Sequence, residues 1–352
     1  MSHRFGKKFQ VTVFGESHGP FVGCLIEGCP PNIQISEEEI YLELKQRAPG
    51  KEFATKRNEK DLPQIISGVF KGYTTGMPIC ILIKNKDAKS EDYDKLKDLY
   101  RPGHANYVYL EKYGIFDHRG AGPASGRETA ARVAAAAVAK KILEKEGIET
   151  ASFISQIGDE IMNEVSASAL EVSPFGCVDP VFEKKARNVL EKTLEAKDSI
   201  GGVVSFVAQN MPVGLGEPKF NKLHASLAYA MMSIPGVKGF EIGKGFEFAE
   251  MKGSEAIDPF ILDSEGYLTF EKNDAGGVLA GISNGMPLYG KVVFKPTSSI
   301  GTPIDTYNLD LQKTTFSYQS YHRHDPCIAL RGRKVVEAML ILTLTDFVLM
   351  RD

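Results

Sequence analysis

The sequence predicts an α+β fold, or a layered α/β sandwich, in one domain with mainly antiparallel sheets. Three observations carry this. Stretches rich in β-branched residues follow one another through short Gly and Pro turns more often than through helices, which suits antiparallel pairing better than a doubly wound parallel sheet. Helices are sharply punctuated by capping residues and glycines. Although 352 residues would allow one large domain or two, no long polar linker divides the chain.

Taken in order, strands are expected at residues 10–14 and 22–27, on either side of a glycine-bounded turn. A helix opens at Ser36, where Glu39 three positions later completes a capping box that satisfies two orphan backbone N–H groups, and it stops at Ala48-Pro49-Gly50. Strands at 64–70 and 79–84 follow. Ser125 and Glu128 form a second capping box ahead of the alanine-rich run 127–146, which closes at Gly147. Helices at 182–196, 220–233 and 334–350 and strands at 203–209 and 291–295 complete the pattern. The last helix is apolar all round and therefore buried. Interrupted by Glu337 and Asp346, its apolar run falls short of the ~20 residues that span a bilayer.

Composition narrows the function. With 43% hydrophobic and 25% charged residues the chain has the balance of a soluble protein with a sizeable core. A formal net charge of -3 provides no global basic field for nucleic acid or an anionic membrane, so any basic site is local. Cys24, Cys29, Cys80, Cys177 and Cys327 are scattered, without zinc-binding or disulfide spacings, which points to reduced thiols and a cytoplasmic location. The charged N-terminus lacks the apolar stretch of a signal peptide and argues against secretion.

One internal similarity stands out: residues 68–78, GVFKGYTTGMP, align without gaps to 277–287, GVLAGISNGMP. Either an ancient duplication has given two related sheets, or two glycine-rich hairpins have converged because glycine alone readily accepts positive φ.

Chemistry is sought in loops presented by a rigid scaffold. Four segments qualify. Gly15-Glu16-Ser17-His18-Gly19 holds a hydroxyl and an imidazole on a short turn, without the spacing of a hydrolase nucleophile elbow. Arg101-Pro102-Gly103-His104 pairs a permanent cation, suited to bidentate phosphate or carboxylate binding, with a second imidazole. His118-Arg119-Gly120-Ala121-Gly122 leads through Ser125 and Arg127 into a helix N-terminus, a ready anion site, yet matches neither the P-loop nor the dinucleotide fingerprint. Finally, Lys295-Pro296-Thr297-Ser298-Ser299 offers a lysine and hydroxyls, and His322-Arg323-His324-Asp325 a packed set of ionisable groups. Neighbours in an extended chain point apart and no second cluster completes a ligand set, so no metal is expected. Arg47, Arg101, Arg127 and Arg323 on turns, two isolated histidines and no nucleophile favour a polyanionic substrate handled by acid and base chemistry; solvated surface charge is the plainer alternative.

These segments, in this order, resemble the chorismate synthase family: Gly15 to Gly19, Arg101 to Ala105, Arg127-Glu128-Thr129-Ala130, Lys295 to Ile300 and Arg323-His324-Asp325-Pro326-Cys327 carry the match. The resemblance implies a single-domain β-α-β layered sandwich spanning residues 1–352, assembled as a homotetramer. It implies anti 1,4-elimination of phosphate from 5-enolpyruvylshikimate 3-phosphate, giving chorismate, with reduced FMN and no net redox change. The chain has no room for an NADPH-driven flavin reductase domain, so reduced flavin would come from an external source. By the same resemblance His18, His104 and Asp325 are catalytic. Ser17, Arg47, Arg101, Ser125, Arg127 and Arg323 hold substrate, while Ser125, Gly236, Ala280, Lys295, Pro296, Thr297, Ser298, Ser299 and Arg323 line the flavin.

The chain departs from the family pattern in places. Pro123-Ala124-Ser125-Gly126 stands where the family has Arg-Ser-Ser-Ala, losing a cation and a hydroxyl beside the flavin phosphate. A charge-assisted contact of ~1.5 to 3 kcal/mol is at stake, tenfold or more in flavin affinity, with Arg119 or His118 as substitutes. Ala280 replaces a glycine, Asn106 replaces an acid, and Lys51 stands nearest to a second basic residue expected after Arg47. The alternatives are a family member with weakened flavin binding that acts as a phospho-ligand binding protein, and a purely structural protein.

Overall fold

The computed structural model describes residues 3–48, 53, 60–86, 96–119, 121–163, 170–317 and 325–351. Its organisation is that of two similar halves. In the first, strands β1 (Arg4–Phe5), β2 (Gln10–Gly15) and β3 (Phe21–Glu27) lead into helix α1 (Glu37–Arg47). Strand β4 (Pro63–Ser67), the small hairpin β5 (Val69–Phe70) and β6 (Tyr73–Thr74), strand β7 (Ile79–Lys84), and helices α2 (Asn106–Tyr113) and α3 (Thr129–Lys145) follow. The second half runs through β8 (Glu149–Ile157), β9 (Glu160–Ile161), α4 (Pro180–Glu195), β10 (Gly202–Gln209), α5 (Leu223–Met232) and β11 (Val237–Ile242). A short helix α6 (Gly253–Ala256) and hairpins β12 (Phe260–Leu262) with β13 (Leu268–Phe270) and β14 (Val278–Leu279) with β15 (Ile282–Ser283) come next. Strands β16 (Leu288–Phe294), β17 (Ile304–Tyr307) and β18 (Lys313–Phe316) and helix α7 (Ala329–Arg351) close the chain.

Two five-stranded antiparallel sheets result, in the orders β1-β2-β3-β7-β4 and β9-β8-β10-β16-β11. Position by position, β2, β3, β7 and β4 correspond to β8, β10, β16 and β11, and in each half a helix follows the second of these strands and another the third. Helices α1 and α3 pack on the first sheet, α5 and α7 on the second, and α3 meets α7 between them. One apolar core therefore takes residues from both halves. The buried alanines of α3, Ala130, Ala131, Ala134, Ala135 and Ala139, let the backbones approach closely.

The two glycine-rich segments fold alike. Each forms a two-residue hairpin turn with both central residues at positive φ, Lys71 and Gly72 in one and Ala280 and Gly281 in the other, as the tight turn of right-twisted strands requires. Thr75 N donates to Gly68 O at 3.0 Å, and Asn284 N to Gly277 O at 3.1 Å. Ala280, at φ 53, carries a Cβ in the left-handed region. Ala280→Gly is expected to stabilise the protein by about 1 kcal/mol, seen as a higher denaturant midpoint.

The sequence-based boundaries need correction in several places. The strand expected at 64–70 is split at Gly68, whose φ of 81 turns the chain between β4 and β5. Strands β8 and β11 and helix α2 were not anticipated. The Ser36 capping box forms as expected. The one at Ser125 does not: Ser125 Oγ accepts from Arg127 N, but a 3-10 turn at Gly126–Glu128 precedes α3, and the Glu128 carboxylate pairs with Arg132 instead.

Candidate active site

A cavity of about 850 Å³ opens where the N-terminal ends of α3 and α7 meet the C-terminal end of α1. Both helices direct the positive ends of their dipoles at it, which suits an anionic ligand. Its walls take Ser17, His18, Arg47, Arg101, His104, Ser125 and Arg127 from the first half of the chain. Gly236, Lys295, Thr297, Ser298, Ser299 and Asp325 come from the second.

Each segment is fixed locally. The turn carrying Ser17 and His18 closes through Gly19 N donating to Glu16 O at 3.1 Å. Asn85, just beyond β7, donates from Nδ2 to Glu16 O at 2.9 Å and to Gly19 O at 2.7 Å, and accepts from Arg127 Nε at 2.7 Å. One amide thus locks the imidazole turn to a cavity-lining guanidinium. In Asn85→Asp, an acceptor would face two carbonyls; with about 2 kcal/mol at stake, kcat/KM is expected to fall roughly thirtyfold. An unchanged kcat/KM would remove Asn85 from the site.

The His104 turn is built similarly. His104 N donates to Arg101 O at 3.1 Å, and its ring lies edge-on to Phe116 with centroids 6.3 Å apart. Gly103, at φ 70, admits the opposite wall: a Cβ there would sit 3.0 Å from Ser298 Cβ. Lys295 Nζ donates to Gly103 O at 3.2 Å. Asn106, which departs from the family's acid, is buried; its Oδ1 accepts from Arg101 N at 3.2 Å and its Nδ2 donates to Leu99 O at 2.8 Å. An ionised acid could accept the first bond but could not donate the second.

Electrostatics are dominated by arginine. Arg47 and Arg127 both pair with the fully buried Asp61. Burial pushes the Asp61 carboxyl up, but Arg47 and Arg127 outweigh it and hold it below the usual carboxylate range. Stability from this carboxylate is therefore present above its unfolded value and lost as pH falls through the folded one. Burial lowers Arg47 below its ordinary value, Asp61 opposes this, and the nearby charges of Arg331 and Arg127 push it further down. Arg331, also on the cavity wall, donates to Asp325 Oδ2 at 2.9 Å. Burial raises the Glu128 carboxyl, although Arg132 and Arg47 pull the other way. Arg132 in turn donates to Ser233 Oγ at 2.7 Å, just before Gly236.

Residues expected along the flavin are brought together in part. Lys295 N donates to Gly236 O at 2.9 Å, which joins two of the expected segments. Pro296 lies in the same stretch but is not among the lining residues. Ala280 is not brought to the cavity: it sits exposed at the tip of the β14–β15 hairpin. Arg323 and Lys51 lie outside the described residues. Arg119, suggested as a substitute cation, instead pairs with Asp117 at 2.8 Å, and neither it nor His118 lines the cavity. Among the described residues no group of three or more His, Cys, Asp or Glu side chains could hold a metal ion, and no helix is long and apolar enough to cross a membrane.

Sequence reasoning missed Asp61, Asn85, Arg132 and Arg331. Asn85 had a signal, as a polar residue at the end of a confident strand; Asp61 had none.

Comparison with known proteins places the whole chain in one family. The chorismate synthase family profile matches residues 9–349. The chorismate synthase of Ignicoccus hospitalis is 50% identical over 349 residues, covering 97% of this chain and 90% of the relative. That of Cytophaga hutchinsonii is 44% identical over 354 residues, covering 99% and 98%. A crystal structure of chorismate synthase matches with a TM-score of 0.77 at 31% identity, covering 99% of this chain and 93% of the other. With the profile spanning nearly the whole sequence and relatives this similar, the chain belongs to the chorismate synthase family.

Proposed function

We propose that this protein is a lyase of aromatic amino acid biosynthesis that eliminates phosphate from 5-enolpyruvylshikimate 3-phosphate to form chorismate. The observation that carries this is the convergence of His18, His104 and Asp325 with Arg47, Arg101 and Arg127 on one cavity. A substrate with a phosphate and two carboxylates needs such a set of cations, and an elimination needs groups that deliver and remove protons.

The residues present suit FMN as the cofactor. Lys295, Thr297, Ser298 and Ser299 give one wall a cation and hydroxyls. Buried polar atoms with no hydrogen-bond partner among the described residues, Ser17 Oγ and Arg331 Nε, lie on residues of the same cavity. Its volume is near the top of the roughly 300 to 1,000 Å³ usual for small-molecule sites, which leaves room for a second ligand. Reduced FMN, when bound, supplies transient electron density that helps the C–O bond break, with no net redox change.

The chain's own groups do the rest. His18 donates a proton to the departing phosphate; His104 holds a proton on the flavin side; Asp325, oriented by Arg331, assists removal of the C6 hydrogen. Ser17, Arg47, Arg101, Ser125, Arg127 and Arg323 bind and orient the substrate. We also infer one domain over residues 1–352, a homotetramer, and a cytoplasmic location with an external source of reduced flavin. The matching hairpins and strand orders favour descent of the two halves from a duplication.

The test compares reductants. Phosphate release from the substrate is expected with chemically reduced FMN under anaerobic conditions. None is expected with oxidised FMN, and NADPH added to the pure protein with oxidised FMN should not restore it. Release independent of reduced flavin would contradict this reading.

A further inference from the structure

Asp61 is the most deeply buried carboxylate at the site. Its side chain is 0% exposed, and Oδ2 accepts from the Arg47 guanidinium at 2.7 Å while Oδ1 accepts from Arg127. It does not line the cavity; both arginines do. Arg47 is held further by Gly126 O and Thr129 Oγ1, each at 3.2 Å, and its buried Nε has no hydrogen-bond partner among the described residues. Two guanidinia thus share one carboxylate, so the trio presents two oriented forks but only about one unit of net positive charge.

That arrangement has opposite effects on an anion. By pinning the forks, Asp61 spares a ligand the entropy of ordering them. As a negative charge directly behind them in a poorly solvated place, it also weakens their attraction for any phosphate in front. An enzyme that releases inorganic phosphate benefits from both, since a grip that orients the substrate must not trap the product.

Resting on the reaction assigned above, we propose that Asp61 is a positioning residue that moderates the hold of Arg47 and Arg127 on phosphate, so that the pair orients substrate yet lets inorganic phosphate leave.

Titration calorimetry of inorganic phosphate into the flavin-free protein tests this without turnover. Asp61→Asn is expected to bind phosphate about tenfold more tightly, a shift of roughly 1.4 kcal/mol. In turnover kcat and KM should fall together, with phosphate a stronger product inhibitor. Weaker or unchanged phosphate binding in a folded variant would overturn the proposal, because a purely structural pin can only weaken the site when removed.

If Asp61→Asn does not fold, the paired Asp61→Asn/Arg47→Gln variant removes one cation together with the carboxylate and leaves Arg127 as the single charge of the trio. Compared with Arg47→Gln alone, the paired variant should bind phosphate about tenfold more tightly; equal or weaker binding would count against the proposal. Tighter phosphate binding in Asp61→Asn, with no turnover by the unaltered protein, would refute the reaction while supporting the role of Asp61.

Discussion

His104→Ala is expected to lower turnover by about 10²- to 10⁴-fold, the usual contribution of a positioned acid or base. Substrate affinity should change by less than about threefold. The reason lies in how the residue is mounted. The backbone bond from His104 N to Arg101 O and the Gly103 contact with Ser298 do not involve the imidazole, so the turn and its arginine survive the truncation. Phe116 loses an edge contact, a small structural change. Turnover measured at saturating substrate and reduced FMN, set beside calorimetric substrate binding, separates the two effects. Equal losses in both would make His104 a binding group.

Lys334→Met is expected to cost about 3 kcal/mol of stability, the largest effect for a residue that does not line the cavity. Lys334 is buried at the start of α7 and pairs with both Glu43 of α1 and Glu337 of its own helix. Glu337 also accepts from Ser152 Oγ of β8 at 3.2 Å, so one cluster joins the first half's helix to the second half's sheet. Without Lys334, Glu337 is left in the core with Arg333 at 3.9 Å, whereas Glu43 keeps Lys140 at 2.8 Å. Burial pushes the Glu43 carboxyl up, but Lys334 and Lys140 more than offset it and hold it below its ordinary value. Its stabilising contribution is therefore present above the unfolded value and lost as pH falls through the folded one. Denaturant melts at pH 7 and below pH ~4 check this: the gap between wild type and Lys334→Met should shrink in acid. A gap independent of pH would show that packing, not charge, sets the cost.

Much of the architecture is legible because local chemistry and global fold agree. Ser36 and Glu39 cap α1 as their spacing requires, and the glycines of the two hairpins sit where positive φ is needed. Strand β8 escaped notice because Ala and Ser dilute its β-branched residues, although most of it is buried. Helix α2 escaped because Asn, Tyr and Val are weak helix formers. At Ser125 the capping pattern is present, but Glu128 serves Arg132, a partner decided by tertiary contact.

The site divides in the same way. Residues on glycine turns, His18, Arg101 and His104, are visible as motifs. The groups that hold them are not: Asp61 and Asn85 make bonds across 14 to 69 positions of sequence, and no spacing announces such a partner. Ala280 marks the converse, a motif position that one chain does not bring to its own cavity. Pro123 and Ala124 stand where the family pattern has polar residues, and Arg119, the expected substitute cation, is engaged with Asp117.

The most direct measurement is anaerobic turnover of 5-enolpyruvylshikimate 3-phosphate with chemically reduced FMN, following chorismate absorbance and phosphate release together. Equal amounts of chorismate and phosphate, formed over many turnovers, are predicted. Substrate binding without either product, under conditions where reduced FMN is in excess, would contradict the assignment and leave a phospho-ligand binding protein.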